Sequence, residues 1–353
     1  YCTHVKELDL SGTPMTDLST VVNFPGLEVL NINSTQVTTL DPLKEMTGIR
    51  ELYLANTEVS SLSPVSAMTA LSLIDLSGTQ VSDLSPLKEC KSLVKLWFNA
   101  TPVKTLAPLD GLSSLQSVYC DNTKIGKPDA VSYMLAHPGV VVIFATSELT
   151  AWWNAMPAEW KKVFSYYVEM DPTPTREQLH ALMTVDSINL EGRTAITSLD
   201  PVVQLPRLAT LRCANSAVAD LAPLKDLKLL AYLDIRNTQV ASLEPLRDHP
   251  KLATLILDYT AVKDLDPVSG LPGLALVTAD NTGLTLKEGN DFIDKNPNCR
   301  FVFQTFENTA WWKALEPAWK EALMKQAGLS RDPDKFGLQA IAGMETLHID
   351  QNP

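Results

Sequence analysis

Residues 30–123 read LNINSTQVTTLDPLKEMTGIRE, LYLANTEVSSLSPVSAMTALSL, IDLSGTQVSDLSPLKECKSLVK, LWFNATPVKTLAPLDGLSSLQS and VYCDNT. Four successive blocks of 22 residues place the same residue types at the same offsets. A period in this range marks a solenoid, in which one short unit stacks on copies of itself because it cannot bury its apolar edge alone. Each block opens on a strand. Residues two apart point the same way along a strand, so Leu30 and Ile32 face inward while Val29, Asn31 and Asn33 face out.

The offsets after the strand are equally regular. Thr13, Thr35, Thr57, Thr79, Thr101 and Thr123 recur once per turn, where a buried hydroxyl can bond the backbone of the bend and stack into a ladder. An aliphatic residue follows (Val37, Val59, Val81, Val103), then Leu40, Leu62, Leu84 and Leu106, with Pro42, Pro64, Pro86 and Pro108 two residues later. Proline suits the first turn of a helix, so the return path on the convex side is expected to be one tight helical turn.

These residues resemble the leucine-rich-repeat family, and within it the 22-residue kind found in bacterial internalins and in small eukaryotic phosphatase regulators. The departure is Thr where that family usually carries Asn, which alters the bonding of the ladder and not the coil. The resemblance implies an α/β solenoid of short parallel strands with short helical returns. It also implies a curved or rod-like array that binds proteins, or sometimes glycans, through its strand face.

With 353 residues, 45% of them hydrophobic, the chain can bury a long core. A formal charge of −12 argues against nucleic acid, whose phosphates would be repelled. No run of 18 apolar residues exists, so no transmembrane segment is expected. Of the five cysteines, Cys120 and Cys213 fall on inward strand positions and Cys90 on a core position of the return path, while Cys2 and Cys299 are less regular. Cys90, Cys120 and Cys213 read as small core hydrophobes, and the five do not read as a disulfide framework.

Five segments are expected. Residues 1–145 form a first array with an altered closing turn, in which 129–136 reads as a fuller helix and 140–144 as a last strand. Residues 146–186 form a helical, Trp-rich insert, with Pro157 starting its second helix and Thr173 capping its third. A second array occupies 187–304, its turns beginning at Ile188, Leu211, Leu233, Leu255 and Val277 and its ladder being Thr194, Ser216, Thr238, Thr260 and Thr282. Residues 305–346 form a second insert, since TAWWKALEPAWKEAL at 309–323 repeats TAWWNAMPAEWKKVF at 150–164 at an offset of 159. Residues 347–353 open a further repeat. The unit of duplication is thus an insert plus an array, and the chain reads as a piece of a longer protein.

The paired tryptophans Trp152, Trp153, Trp160 and Trp311, Trp312, Trp319 stay in register with the helices of the two inserts, and are read as structural residues that seal one array and seat the next. The rival reading is a sugar platform or a docking helix. The strand face is the better candidate for recognition. Its middle row is Asp9, Asn31, Tyr53, Asp75, Trp97 and Tyr119, flanked by Asn99 and Asp121, with Trp97 and Tyr119 expected to touch because adjacent strands lie about 4.8 Å apart. Exposed aromatics among carboxylates and amides are recognition chemistry. The ligand-binding set is therefore Tyr53, Asp75, Trp97, Asn99, Tyr119 and Asp121. The second array's row (Asn189, Arg212, Asp234, Ile256, Thr278) is poorer in aromatics.

Catalysis finds little support: the five histidines share no face, none pairs with a Cys or Ser as a nucleophile, no metal-ligand spacing occurs, and the strand-face carboxylates read as a solvated surface before they read as a catalytic pair. No cofactor is expected. The sequence points to a non-enzymatic scaffold that binds a protein or glycan, placed at a bacterial surface or envelope by resemblance alone. A spacer or stalk presenting another domain, and a cytosolic scaffold like the phosphatase regulators, are the competing readings.

Overall fold

The computed structural model describes residues 4–342, 344 and 346. The chain divides into two compact units, residues 1–155 with 169–181, and residues 156–168 with 182–353. In the first, seven three-residue strands form one parallel sheet in chain order: β1 (Glu7–Asp9), β2 (Val29–Asn31), β3 (Glu51–Tyr53), β4 (Leu73–Asp75), β5 (Lys95–Trp97), β6 (Ser117–Tyr119) and β7 (Val141–Ile143). The register advances by one block per strand, Leu30 opposite Leu52, Leu52 opposite Ile74, and Ile74 opposite Leu96. These inward residues are completely buried, as are Ile32, Leu54 and Leu76 beside them. Each block alone is too small to hide this edge; the stack is the core.

The return path is a 3-10 turn with proline in its first turn, at Asp41–Leu43, Ser63–Ala67, Ser85–Glu89 and Ala107–Leu109. Between strand and return, every coil bends through one left-handed residue: Ser34, Asn56, Gly78, Ala100 and Asn122 in successive blocks. The threonines close these bends. Thr35, Thr57, Thr79 and Thr101 are buried, and each hydroxyl donates to the carbonyl three residues earlier, at 2.7–2.8 Å. The hydroxyls thus serve their own coil and form no ladder from coil to coil. That link is made by amides on the outward side: the Asn33 carbonyl oxygen accepts from the Ala55 N–H at 2.6 Å, and that of Asn99 from the Asp121 N–H at 2.9 Å.

The closing turn carries α1 (Lys127–Ala136) and β7, as the sequence predicts. Helix α2 (Thr146–Ala155) follows and belongs to this unit, as does α4 (Arg176–Leu182) up to residue 181. Helix α4 starts after Thr175 and not Thr173. Thr175 and Gln178 exchange hydrogen bonds, the Thr175 N–H to the Gln178 side chain at 2.9 Å and the Gln178 N–H to the Thr175 hydroxyl at 3.2 Å. This reciprocal cap satisfies two orphan donors at once and so outcompetes the Thr173–Pro174 pair immediately upstream.

Between them in sequence, α3 (Ala158–Tyr167) belongs to the second unit and covers the first edge of its sheet. The Trp160 indole N–H donates to the Ser198 carbonyl at 3.0 Å, and the Tyr167 hydroxyl accepts from the Asn189 N–H at 2.8 Å. Six parallel strands form that sheet: β8 (Ser187–Asn189), β9 (Thr210–Arg212), β10 (Tyr232–Asp234), β11 (Thr254–Ile256), β12 (Leu276–Thr278) and β13 (Arg300–Val302). Ile188 lies opposite Leu211, so the first coil is one residue longer than its neighbours. The extra residue moves Thr194 off the bend. It is exposed, and Arg193 takes the ladder position. Ser216, Thr238 and Thr260 keep the bend bond, at 2.6–2.7 Å.

After α5 (Leu286–Lys295) and β13 come α6 (Thr305–Ala314), α7 (Pro317–Gln326) and α8 (Lys335–Ala342). Trp312, Leu323, Leu338 and Ile341 form their buried core. The further repeat expected at 347–353, Cys2 and His348 lie outside the described residues. Cys90, Cys120 and Cys213 are buried, and burial holds the first two thiols up at about 11 and about 12.

Candidate functional site on the strand face

The outward row of the first sheet runs Asp9, Asn31, Tyr53, Asp75, Trp97, Tyr119, each pair held opposite by the strand register. Trp97 and Tyr119 touch: their rings stack with centroids 4.9 Å apart and 14° between the planes. Tyr119 differs from the expectation of an exposed aromatic. It is only 6% exposed, because Arg176 of α4 lies over its ring, guanidinium carbon 4.6 Å from the centroid. Trp97 is left half-buried, stacked on Tyr119 of one neighbouring strand and opposite Asp75 of the other. A stacked, ion-braced indole is a rigid contact that loses little freedom when a partner arrives.

Helix α4 is itself fixed from below. His180 is fully buried, with Nδ1 2.7 Å from the Arg176 carbonyl and Nε2 accepting from the Phe144 N–H at 3.0 Å. Asp121 ties down the other helix. Its carboxylate accepts from both the N–H and the hydroxyl of Thr146 at the start of α2, at 2.8 and 2.7 Å. Asn99 is engaged too, accepting from Asp121 and donating to the Ser77 hydroxyl at 3.1 Å. Of the six expected ligand contacts, Tyr119 is buried, Asn99 and Asp121 bond to the next coil and to α2, and Tyr53 and Asp75 bond within their own coils, to Glu51 and from the Ser77 N–H at 2.9 Å. Tyr53, Asp75 and Trp97 remain half-buried and face outward.

Around Tyr53 the face is acidic. Its hydroxyl donates to Glu51 at 2.7 Å, and burial, that bond and the nearby Glu51, Asp75 and Glu7 carboxylates push the phenol up to about 12. Of the neighbouring bases, Lys6 and Arg50 both pair with Glu28, at 2.7 and 3.5 Å. Lys95 stands exposed beside Trp97. The open part of the face thus offers an aromatic centre, a carboxylate cluster at one end and a lysine at the other.

In the second array the same row holds Arg212 over the Tyr232 ring at 5.1 Å, and the buried Asp234 paired with Arg236 at 3.0 Å. Burial holds the Asp234 carboxyl above the usual range. The far end repeats the first array at the offset of 159. Asp280 accepts from the N–H and hydroxyl of Thr305 as Asp121 does from Thr146. Lys335, the counterpart of Arg176, reaches Asp258. Arg176 lies outside the repeat pattern, and the base at both 176 and 335, one duplication apart, is the signal in the sequence that marks it.

The tryptophans divide. Trp153, Trp160 and Trp312 are buried and Trp152 half-buried, whereas Trp311 and Trp319 are 43% and 45% exposed. Among the described residues no cluster of His, Cys, Asp and Glu is arranged to hold a metal ion, and no helix is long and apolar enough to cross a membrane. His249 is buried, bonds the Leu224 carbonyl at 3.0 Å and is held below its usual range by burial.

A coil of about 22 residues with one inward-facing strand, one left-handed bend and one 3-10 return is the leucine-rich-repeat fold. The model of paired leucine-rich repeats matches residues 3–45, the first two coils. A search of curated proteins finds no match. Among solved structures, the chain is similar to an internalin, InlF, from Listeria monocytogenes, at 20% identity, covering 84% of this chain and 79% of that one with a TM-score of 0.39. It is also similar to internalin C2 of the same species, at 20% identity, 72% and 81% coverage and a TM-score of 0.27. A leucine-rich-repeat protein of Leptospira interrogans shares 16% identity over 81% of this chain and 74% of that one, with a TM-score of 0.34.

Proposed function

We propose that the chain is a non-enzymatic recognition scaffold that binds a protein through the strand face of the first array, around Tyr53, Asp75 and Trp97. The observation that carries this reading is the braced Trp97, a large, half-buried apolar contact stacked on Tyr119, whose ring Arg176 covers. Rigid aromatic anchors ringed by polar groups concentrate binding energy in protein interfaces. The carboxylates Glu7, Glu51 and Asp75 near Tyr53 suit a partner with a basic patch beside its apolar contact. Tyr119, Asn99 and Asp121 support this surface and do not touch the partner.

We place the scaffold at a bacterial surface or envelope, because the 22-residue coil with 3-10 returns is the internalin-like form. The inserts' buried tryptophans act as structural packing between coils and helices. The test is a capture experiment from a bacterial envelope extract, with the immobilised chain beside a variant carrying Tyr53→Ala and Trp97→Ala. A protein held by the first and released by the second supports the strand face as the site. Equal capture by both, with the variant's melting curve unchanged, would move the site elsewhere. Capture by neither favours a spacer.

A further inference from the structure

We propose that the second array carries a separate binding site for a neutral oligosaccharide, formed by Glu191, Asn215, Arg236, Asn237 and Tyr259. These five residues line a shallow open basin just beyond the strand ends. The small, buried Ala214 lies in the coil between Glu191 and Arg236, in a position where the flanking coils carry long side chains, and so leaves a gap in the rim.

Tyr259 carries the argument. Its backbone sits at φ 61°, the left-handed bend that neighbouring coils fill with Gly192, Asn215, Asn237 and Asn281. A bulky side chain is disfavoured there, and glycine and asparagine are the residues that relieve the strain. Nothing in the packing compensates, since the side chain is 59% exposed. A strained aromatic pointing to solvent is an outlier of the sort found at ligand clamps.

The groups beside it suit a sugar. The Asn237 amide donates to the Asn215 carbonyl oxygen at 2.7 Å, which leaves one free amide edge on each residue toward the basin. Arg236 is neutralised by Asp234 at 3.0 Å and faces Glu191 at 3.8 Å, so the site presents no net positive charge to an anion. A flat aromatic face against the C–H face of a pyranose, with amides, a guanidinium and a carboxylate at the hydroxyl rim, is the match in chemistry.

The experiment is saturation-transfer NMR on the whole chain with cellohexaose, chitohexaose and maltohexaose as probes, for wild type, Tyr259→Asn and Tyr259→Trp. Wild type and Tyr259→Trp are expected to transfer saturation to ring protons of at least one probe. Tyr259→Asn is expected to bind that probe at least about tenfold more weakly, while its melting temperature stays level or rises as the bend relaxes. A lowered melting temperature with unchanged binding would make Tyr259 a packing residue and overturn the proposal. So would silence from all three probes with wild type. Because the first array is untouched, Tyr53→Ala with Trp97→Ala should leave the saccharide signal intact, which separates this site from the strand-face reading.

Discussion

Asp121 holds Thr146 by two hydrogen bonds, from the Thr146 N–H at 2.8 Å and hydroxyl at 2.7 Å, and so joins the bend after β6 to the start of α2. Asp280 and Thr305 repeat the tie 159 residues later. The carboxylate is a helix anchor. Asp121→Ala should therefore cost about 1–2 kcal/mol, the usual range for a lost helix cap, and raise amide exchange across residues 146–155. Asp121→Asn retains one acceptor and should cost less. Exchange unchanged in both variants would refute the anchoring role.

The stack of Trp97 on Tyr119 assigns the two rings different tasks. Tyr119 is buried beneath Arg176, so Tyr119→Ala should destabilise by about 3 kcal/mol, as large aromatic truncations in packed sites do. Trp97→Ala should change chemical denaturation much less and partner capture much more. Arg176→Ala should free the Tyr119 ring and leave Trp97 mobile, visible as broadened indole resonances. The reverse order of stability effects would mean that Trp97 is the core residue.

Tyr53 should titrate late. In the fold its phenol is held up at about 12 by burial and the Glu51 bond, against about 10 when unfolded. The folded state keeps the proton longer, so the contribution of Tyr53 to stability is fully present below pH 10. It is lost as the pH rises from there through about 12, where the unfolded phenol ionises first. The difference in absorbance at 295 nm between wild type and Tyr53→Phe isolates this group. Glu51→Gln should bring its midpoint down.

The bend hydroxyls give a matched pair. Thr79 is buried and donates to the Leu76 carbonyl at 2.7 Å, so Thr79→Val should cost about 1 kcal/mol. Thr194 is exposed and off the bend, so Thr194→Val should stay within about 0.5 kcal/mol of wild type. Thermal melts of the two variants check both.

How much of this was legible follows from the range of each interaction. The coil, its inward leucines, the proline returns and the buried cysteines are set by offsets within a block, and a repeating sequence displays them. Thr194 was misplaced because one residue added to a coil shifts everything after it, and spacing alone does not say which residue was added. Tyr119 and Asp121 sit at outward positions, so periodicity reads them as solvent-facing. Their covers, Arg176 and Thr146, arrive 57 and 25 residues later from helices outside the repeat. Tyr259 also escaped notice, since the left-handed bend becomes conspicuous only when the backbone is known.

Placing a photoreactive p-benzoylphenylalanine at Lys95, beside Trp97 on the strand face, and separately at Lys88 on the exposed 3-10 return, tests the strand-face reading most directly. Illumination in envelope extract should yield one discrete protein adduct from position 95 that disappears when Trp97→Ala is added, and none from position 88. Adducts of the same mass from both positions, or from position 88 alone, would contradict it.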